Sequence, residues 1–100
     1  MNFDRKTIRD FMQDVMRPRL FLNSKFNREA VLWYFKESYG LHSSMTLDDE
    51  IVFLNALYDY CENFISFNED DYGNRDIHFY VDPVNRNVWN DVMNSIYQEA

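Results

Sequence analysis

Two histidines, a single cysteine and two runs of adjacent carboxylates are the residues of this chain whose types could do chemistry. His42 and His78 are candidate general bases. A base becomes catalytic when a nucleophile lies within hydrogen-bond reach and a third group orients it. Neither histidine has a nucleophile signature such as G-x-S-x-G nearby. Cys61 falls inside an apolar helical pattern, where a thiol behaves as a small hydrophobe. Asn68-x-Asp70-x-Tyr72-Gly73 distantly resembles the opening of an EF-hand loop. Its fifth ligand position is Tyr72, however, and its twelfth is Phe79, where a bidentate Glu is required. The scattered His and Cys positions make no zinc pattern. Asp48-Asp49-Glu50 and Glu69-Asp70-Asp71 could do acid–base work only if burial split their pKa values. At a helix start and in a turn, such acids read as hydrated. The chain's two glycines, Gly40 and Gly73, build neither a P-loop nor a dinucleotide fingerprint. The expectation is a protein that is not an enzyme and has no cofactor and no metal.

Those residues must be carried by a small scaffold. The chain has 100 residues, 46% of them hydrophobic and 18% aromatic. That suffices for one domain, residues 1–100, whose core needs neither disulfide nor metal. The unpaired cysteine fits a reducing compartment. Asp4, Arg5 and Lys6 stand where a signal peptide would need apolar residues. No run approaches the ~18 apolar residues of a membrane span. The expectation is a soluble, cytoplasmic protein.

Periodicity then places the elements. Ile8, Phe11, Met12 and Val15 line one face of a first helix over about Asp4 to Met16, capped by Asp4. Pro18 argues against continuation past Arg17. The connector after it holds Leu20-Phe21-Leu22, too apolar to float in water. A second helix is expected from roughly Asn27, a good N-cap, to Tyr39, with Gly40 in the left-handed position that ends it. Thr46-Leu47-Asp48-Asp49 is a capping-box variant opening a third helix, which should end near Asn63. Leu47, Ile51, Leu54, Leu57, Tyr58 and Cys61 keep helical spacing along it. Ile77, Phe79 and Val81 alternate as the inward face of a strand, with Phe64–Phe67 as its partner. Asp82-Pro83 reads as an N-cap and first helical position, opening a last helix to about Gln98. The fold class is mainly α, α+β at the margin: three helices, a short β-hairpin and a C-terminal helix.

Charge separates function classes. The net charge is −7, unlike that of a typical nucleic-acid-binding domain and wrong for an anionic membrane. Residues 1–40 hold eight basic and five acidic groups, +3; residues 41–100 hold two basic against twelve acidic, −10. No Lys or Arg occurs between Lys36 and Arg75. Three helices followed by a hairpin is an element order compatible with a winged helix, a resemblance carried by no motif. In that fold one helix enters the major groove on cationic or amide side chains. Here the third helix carries Asp48, Asp49, Glu50, Asp59 and Glu62, and the hairpin carries Glu69, Asp70, Asp71 and Asp76. The sign is inverted. Acids along a helix and an adjoining turn imitate the charge of a nucleic-acid backbone, and opposite fields raise association rates.

The last helix adds a second candidate surface. Its apolar residues, Val84, Val88, Trp89, Val92, Met93, Ile96 and Tyr97, sweep an arc of roughly 220° where one core needs little more than ~100°. Trp89, Met93 and Tyr97, types favoured in interfaces, occupy the excess side.

The leading expectation is a non-enzymatic inhibitor of a basic nucleic-acid-handling protein such as a nuclease. It would be either a phage-type anti-defence protein, an anti-CRISPR or DNA mimic, or a toxin immunity protein. The partner-binding residues would be Asp48, Asp49, Glu50, Asp59, Glu69, Asp70, Asp71, Trp89, Met93 and Tyr97. No direct nucleic-acid or membrane contact is expected, and the protein would be a monomer or homodimer. Two alternatives stand beside it. One is a winged-helix-like regulator touching nucleic acid through Arg5, Lys6, Arg9, Arg17 and Arg19. The other is a structural homo-oligomer in which the +3 and −10 parts of neighbours meet.

Overall fold

Asp4 opens the first helix in the computed structural model, which describes residues 1–97. Its carboxylate accepts from the Thr7 N–H at 2.8 Å, satisfying one of the amide donors that a helix start leaves orphaned. Helix α1 runs Arg5–Phe11 and continues through a π-turn, Met12–Met16, into a last α-turn, Arg17–Leu20. The expected stop at Arg17 is therefore corrected. Within the π-turn the Arg17 N–H donates to the Met12 carbonyl, five residues back. The wider turn displaces the carbonyls that would otherwise collide with the Pro18 ring, so the helix crosses the proline. The connector beyond is also less buried than its composition suggests: Leu20 is in the core, but Phe21 and Leu22 are exposed, Leu22 to 91%.

Helix α2 is Arg28–Tyr39, capped by the Asn27 side chain on the Glu29 N–H and closed by Gly40 at φ 65°. Helix α3 is Leu47–Cys61, with the full reciprocal capping box between Thr46 and Asp49. Both follow the sequence reading closely. The sheet differs from the expected two-stranded hairpin. Strand β1, Lys25–Asn27, lies between α1 and α2, and joins β2, Ile65–Glu69, and β3, Arg75–Phe79. The order is β1-β3-β2, antiparallel throughout. Phe26 and Phe67 both oppose Ile77. The alternation on β3 is as read, with Ile77 and Phe79 buried, although the strand ends before Val81, which is half-buried.

Helix α4 is Arg86–Tyr97, three residues later at its start than expected. Asp82 accepts from the Val84 N–H in a turn, and Asn85 accepts from the Val88 N–H at 3.1 Å, which is N-cap geometry. Gln98, the expected end, lies outside the described residues. The core joins all four helices to one sheet face. Its centre is a cluster of phenyl rings: Phe3 and Phe11 each meet Phe35 and Phe53 edge-on at 5.4–5.5 Å. Such pairs add ~0.5–1.5 kcal/mol beyond the area they bury.

Candidate partner-binding surface

Core packing fixes which side of α3 meets solvent. Phe53, Leu57 and Cys61 are fully buried, and burial raises the Cys61 thiol well above its ordinary pKa. At about 100° per residue, Asp48, Asp59 and Glu62 then fall together on the outward arc. All three are exposed, and none has an ion-pair or hydrogen-bond partner among the described residues.

The neighbouring acids are engaged differently. Asp49 Oδ2 accepts from the Thr46 N–H at 2.9 Å, and that bond holds its carboxyl below the usual range. It also meets the Met1 ammonium at 3.1 Å. Glu50 pairs with Lys36 of α2. Asp70 is folded into the β2–β3 turn, accepting from Asn74 Nδ2 at 3.0 Å and from the Tyr72 and Asn74 N–H groups at 2.9 Å. The Asn74 side chain is the main reason its pKa is lowered. Those internal donors take the carboxylate that the EF-hand-like spacing would have offered a cation. Among the described residues, no group of three or more His, Cys, Asp or Glu is arranged to hold a metal ion. Glu69 is 3.6 Å from Arg75, and Asp71 is exposed in the turn.

The histidines are also placed. His42 Nε2 is 2.9 Å from Glu37 Oε2. His78 Nε2 is 3.4 Å from Ser24 Oγ, and its ring lies 4.0 Å from that of Tyr80.

The proposed docking face of the last helix is corrected. Trp89 and Met93 are core residues, exposed to 0% and 2%. Trp89 Nε1 donates to Gln13 Oε1 at 2.6 Å, and the Arg17 guanidinium sits 5.2 Å over its ring. The apolar residues left outside are Val84, Val88 and Tyr97. An apolar arc that wide has two possible inward sides, and the indole found its hydrogen-bond partner on α1.

The cations read as a basic N-terminal part are largely turned inward or paired. Arg5, Arg9, Arg17, Arg19 and Arg28 each lie over an aromatic ring: Tyr60, Tyr97, Trp89, Tyr34 and Phe67. Arg17 also donates twice to the Pro83 carbonyl, at 3.0 and 3.1 Å. Lys6 pairs with Asp10 at 2.7 Å.

One part of the surface escaped the sequence reading. Leu47 and Ile51, which share the apolar helical spacing read along α3, are exposed to 78% and 58%. With Leu54 and Tyr58 they form a second apolar row beside the acids, at spacings of four, three and four residues. The row borders a cleft of about 630 Å³ between α2, α3 and the β2–β3 turn, lined in part by Leu32, Trp33, Leu54 and Arg75. Two rows along one helix were visible as spacing; which of them faces inward was not. Among the described residues no helix is long and apolar enough to cross a membrane. The chain matches no family model, no curated protein and no solved structure.

Proposed function

We propose that the protein is a non-enzymatic cytoplasmic binder that neutralises a basic, nucleic-acid-handling protein, presenting the acids of α3 and the β2–β3 turn in place of nucleic-acid charge. A phage-type inhibitor and a toxin immunity protein are both of this kind. One observation carries the reading. Asp48, Asp59 and Glu62 share an outward arc without partners among the described residues, while the chain's arginines are largely held against its own rings and carbonyls. The acids that build the fold, Asp49 and Asp70, are excluded from the contact set. The test is charge reversal of the others. Asp48→Lys, Asp59→Lys, Glu62→Lys and Asp71→Lys together should leave the circular dichroism unchanged and abolish retention of nucleases from a host lysate. Wild-type retention should fall with salt, because exposed charges are screened beyond ~8 Å at physiological ionic strength. Undiminished retention by the folded variant overturns the reading.

A second reading has one observation in its favour. With β1 between the first two helices and paired to β3, the order helix, strand, helix, helix, strand, strand resembles a winged helix more fully than the sequence did. A regulator of that type would shift the mobility of duplex DNA.

A further inference from the structure

The exposed row on α3 has the spacing of a helix–helix seam. Leu47, Ile51, Leu54 and Tyr58 recur as a and d positions do in a heptad, which is the pattern that receives ridges of a second helix. Yet among the described residues no element covers Leu47 or Ile51. Tyr58 meets Phe67 at 5.4 Å between ring centroids, bringing the sheet against one end of the row. Trp33, half exposed, and Leu32 form the opposite wall of the adjoining cleft, whose cations are engaged within the chain: Lys36 with Glu50, Arg75 near Glu69 and Arg28 over the Phe67 ring.

Charge decides the occupant. Asp48, Asp59 and Glu62 flank the row on its open side. A second copy docked α3 to α3 would set those acids against their own counterparts, and like charges across an interface are costly. An acidic partner is excluded for the same reason. What fits is a helix that is apolar on one face and cationic beside it, the helix-in-groove mode of recognition.

We propose that the groove beside α3 receives an amphipathic cationic helix of the partner. Its apolar side chains, three and four residues apart, pack on Leu47, Ile51, Leu54 and Tyr58. Its Lys or Arg side chains face Asp48, Asp59 and Glu62. This rests on the acidic-face reading above and adds to it the form of the partner's binding segment.

Two synthetic Lys/Leu peptides of identical composition and about five helical turns in length serve as probes. One has leucines at helical spacing, the other alternates Leu and Lys. Binding is read by isothermal titration and by the change in tryptophan emission, to which the exposed Trp33 and the buried Trp89 both contribute. The helically spaced peptide should bind at least ~10-fold tighter than the alternating one, a difference of ~1.4 kcal/mol. Leu47→Gln with Ile51→Gln should remove that advantage without touching the fold, since both side chains are exposed. Asp48→Asn, Asp59→Asn and Glu62→Gln together should weaken both peptides. Equal, salt-sensitive binding of the two peptides overturns the groove but leaves the acidic-face reading standing. No binding of either at low salt overturns both. Self-association of the protein alone, lost in the Leu47→Gln, Ile51→Gln variant, assigns the groove to a second copy and overturns the proposal.

Discussion

The N-terminal cations and the α3 acids are opposite in sign and also opposite in use. On α1 and α2 the charged groups are part of the packing. Arg17 joins α1 to the segment before α4 through Pro83 and to α4 itself through Trp89, and Arg19 covers Tyr34 while donating to the Val15 carbonyl. On the outer arc of α3, Asp48, Asp59 and Glu62 make no hydrogen bond or ion pair among the described residues. A charge count along the sequence gives +3 and −10 for the two parts, but the surfaces differ for another reason: guanidinium groups stack on rings and fork onto carbonyls, whereas hydrated carboxylates need neither. Charge that holds elements together is unavailable to a partner without cost.

That contrast can be broken most forcefully at its centre. Trp89→Ala removes the indole beneath Arg17 and should destabilise the protein by ~3–5 kcal/mol, measured as the shift of a urea unfolding curve. A near-neutral result would return Trp89 to the docking face. Arg17→Ala comes next, at ~1–3 kcal/mol for hydrogen bonds to a charged group and a partly desolvated ring contact. If it instead left stability unchanged while weakening partner binding, the cationic part would be the functional one.

Acid should act on the caps and turns. Asp4, Asp49 and Asp70 have carboxyls lowered from the ordinary 3.8 by hydrogen bonds from Thr7, Thr46 and Asn74. The unfolded chain therefore binds protons more readily, so their contribution is complete above that value and is lost as pH falls below it. Thermal melts at fixed ionic strength should show a plateau above pH 5 and a decline below pH 4. A maximum near pH 4 would contradict it. The smallest effect belongs to Asp59→Asn, which should stay within ~0.5 kcal/mol of the parent while reducing affinity for the basic partner.

How much of this was legible follows from the range of each interaction. Thr46 with Asp49, Asn27 and Gly40 announced their helix ends because caps involve residues within one turn of each other. Asp49 was therefore readable as a structural acid from its capping box alone. Glu50 was not, since Lys36 lies on another helix. Strand β1 escaped because three residues carry no period, and its partners on β3 are remote in sequence. Pro18 misled because a general rule about proline was overridden by one π-turn. On α3 and α4 the apolar positions were recognised, but not which of two rows would be covered. That choice is made by the neighbouring elements, Gln13 and Arg17 in one case and Phe3, Phe11 and Phe35 in the other.

The strand order has a consequence for how the molecule comes into being. The middle strand, β3, is the last of the three to be synthesised, and among the described residues both its neighbours pair only with it. β2 meets it through a short turn, a closure of microseconds or less. β1 must wait for some fifty further residues, Lys25 finding His78 across the intervening helices, and such distant pairings slow folding because loop entropy is lost before contacts return it. The three-stranded sheet therefore cannot be completed until Arg75–Phe79 has been made, whatever the helices before it have done.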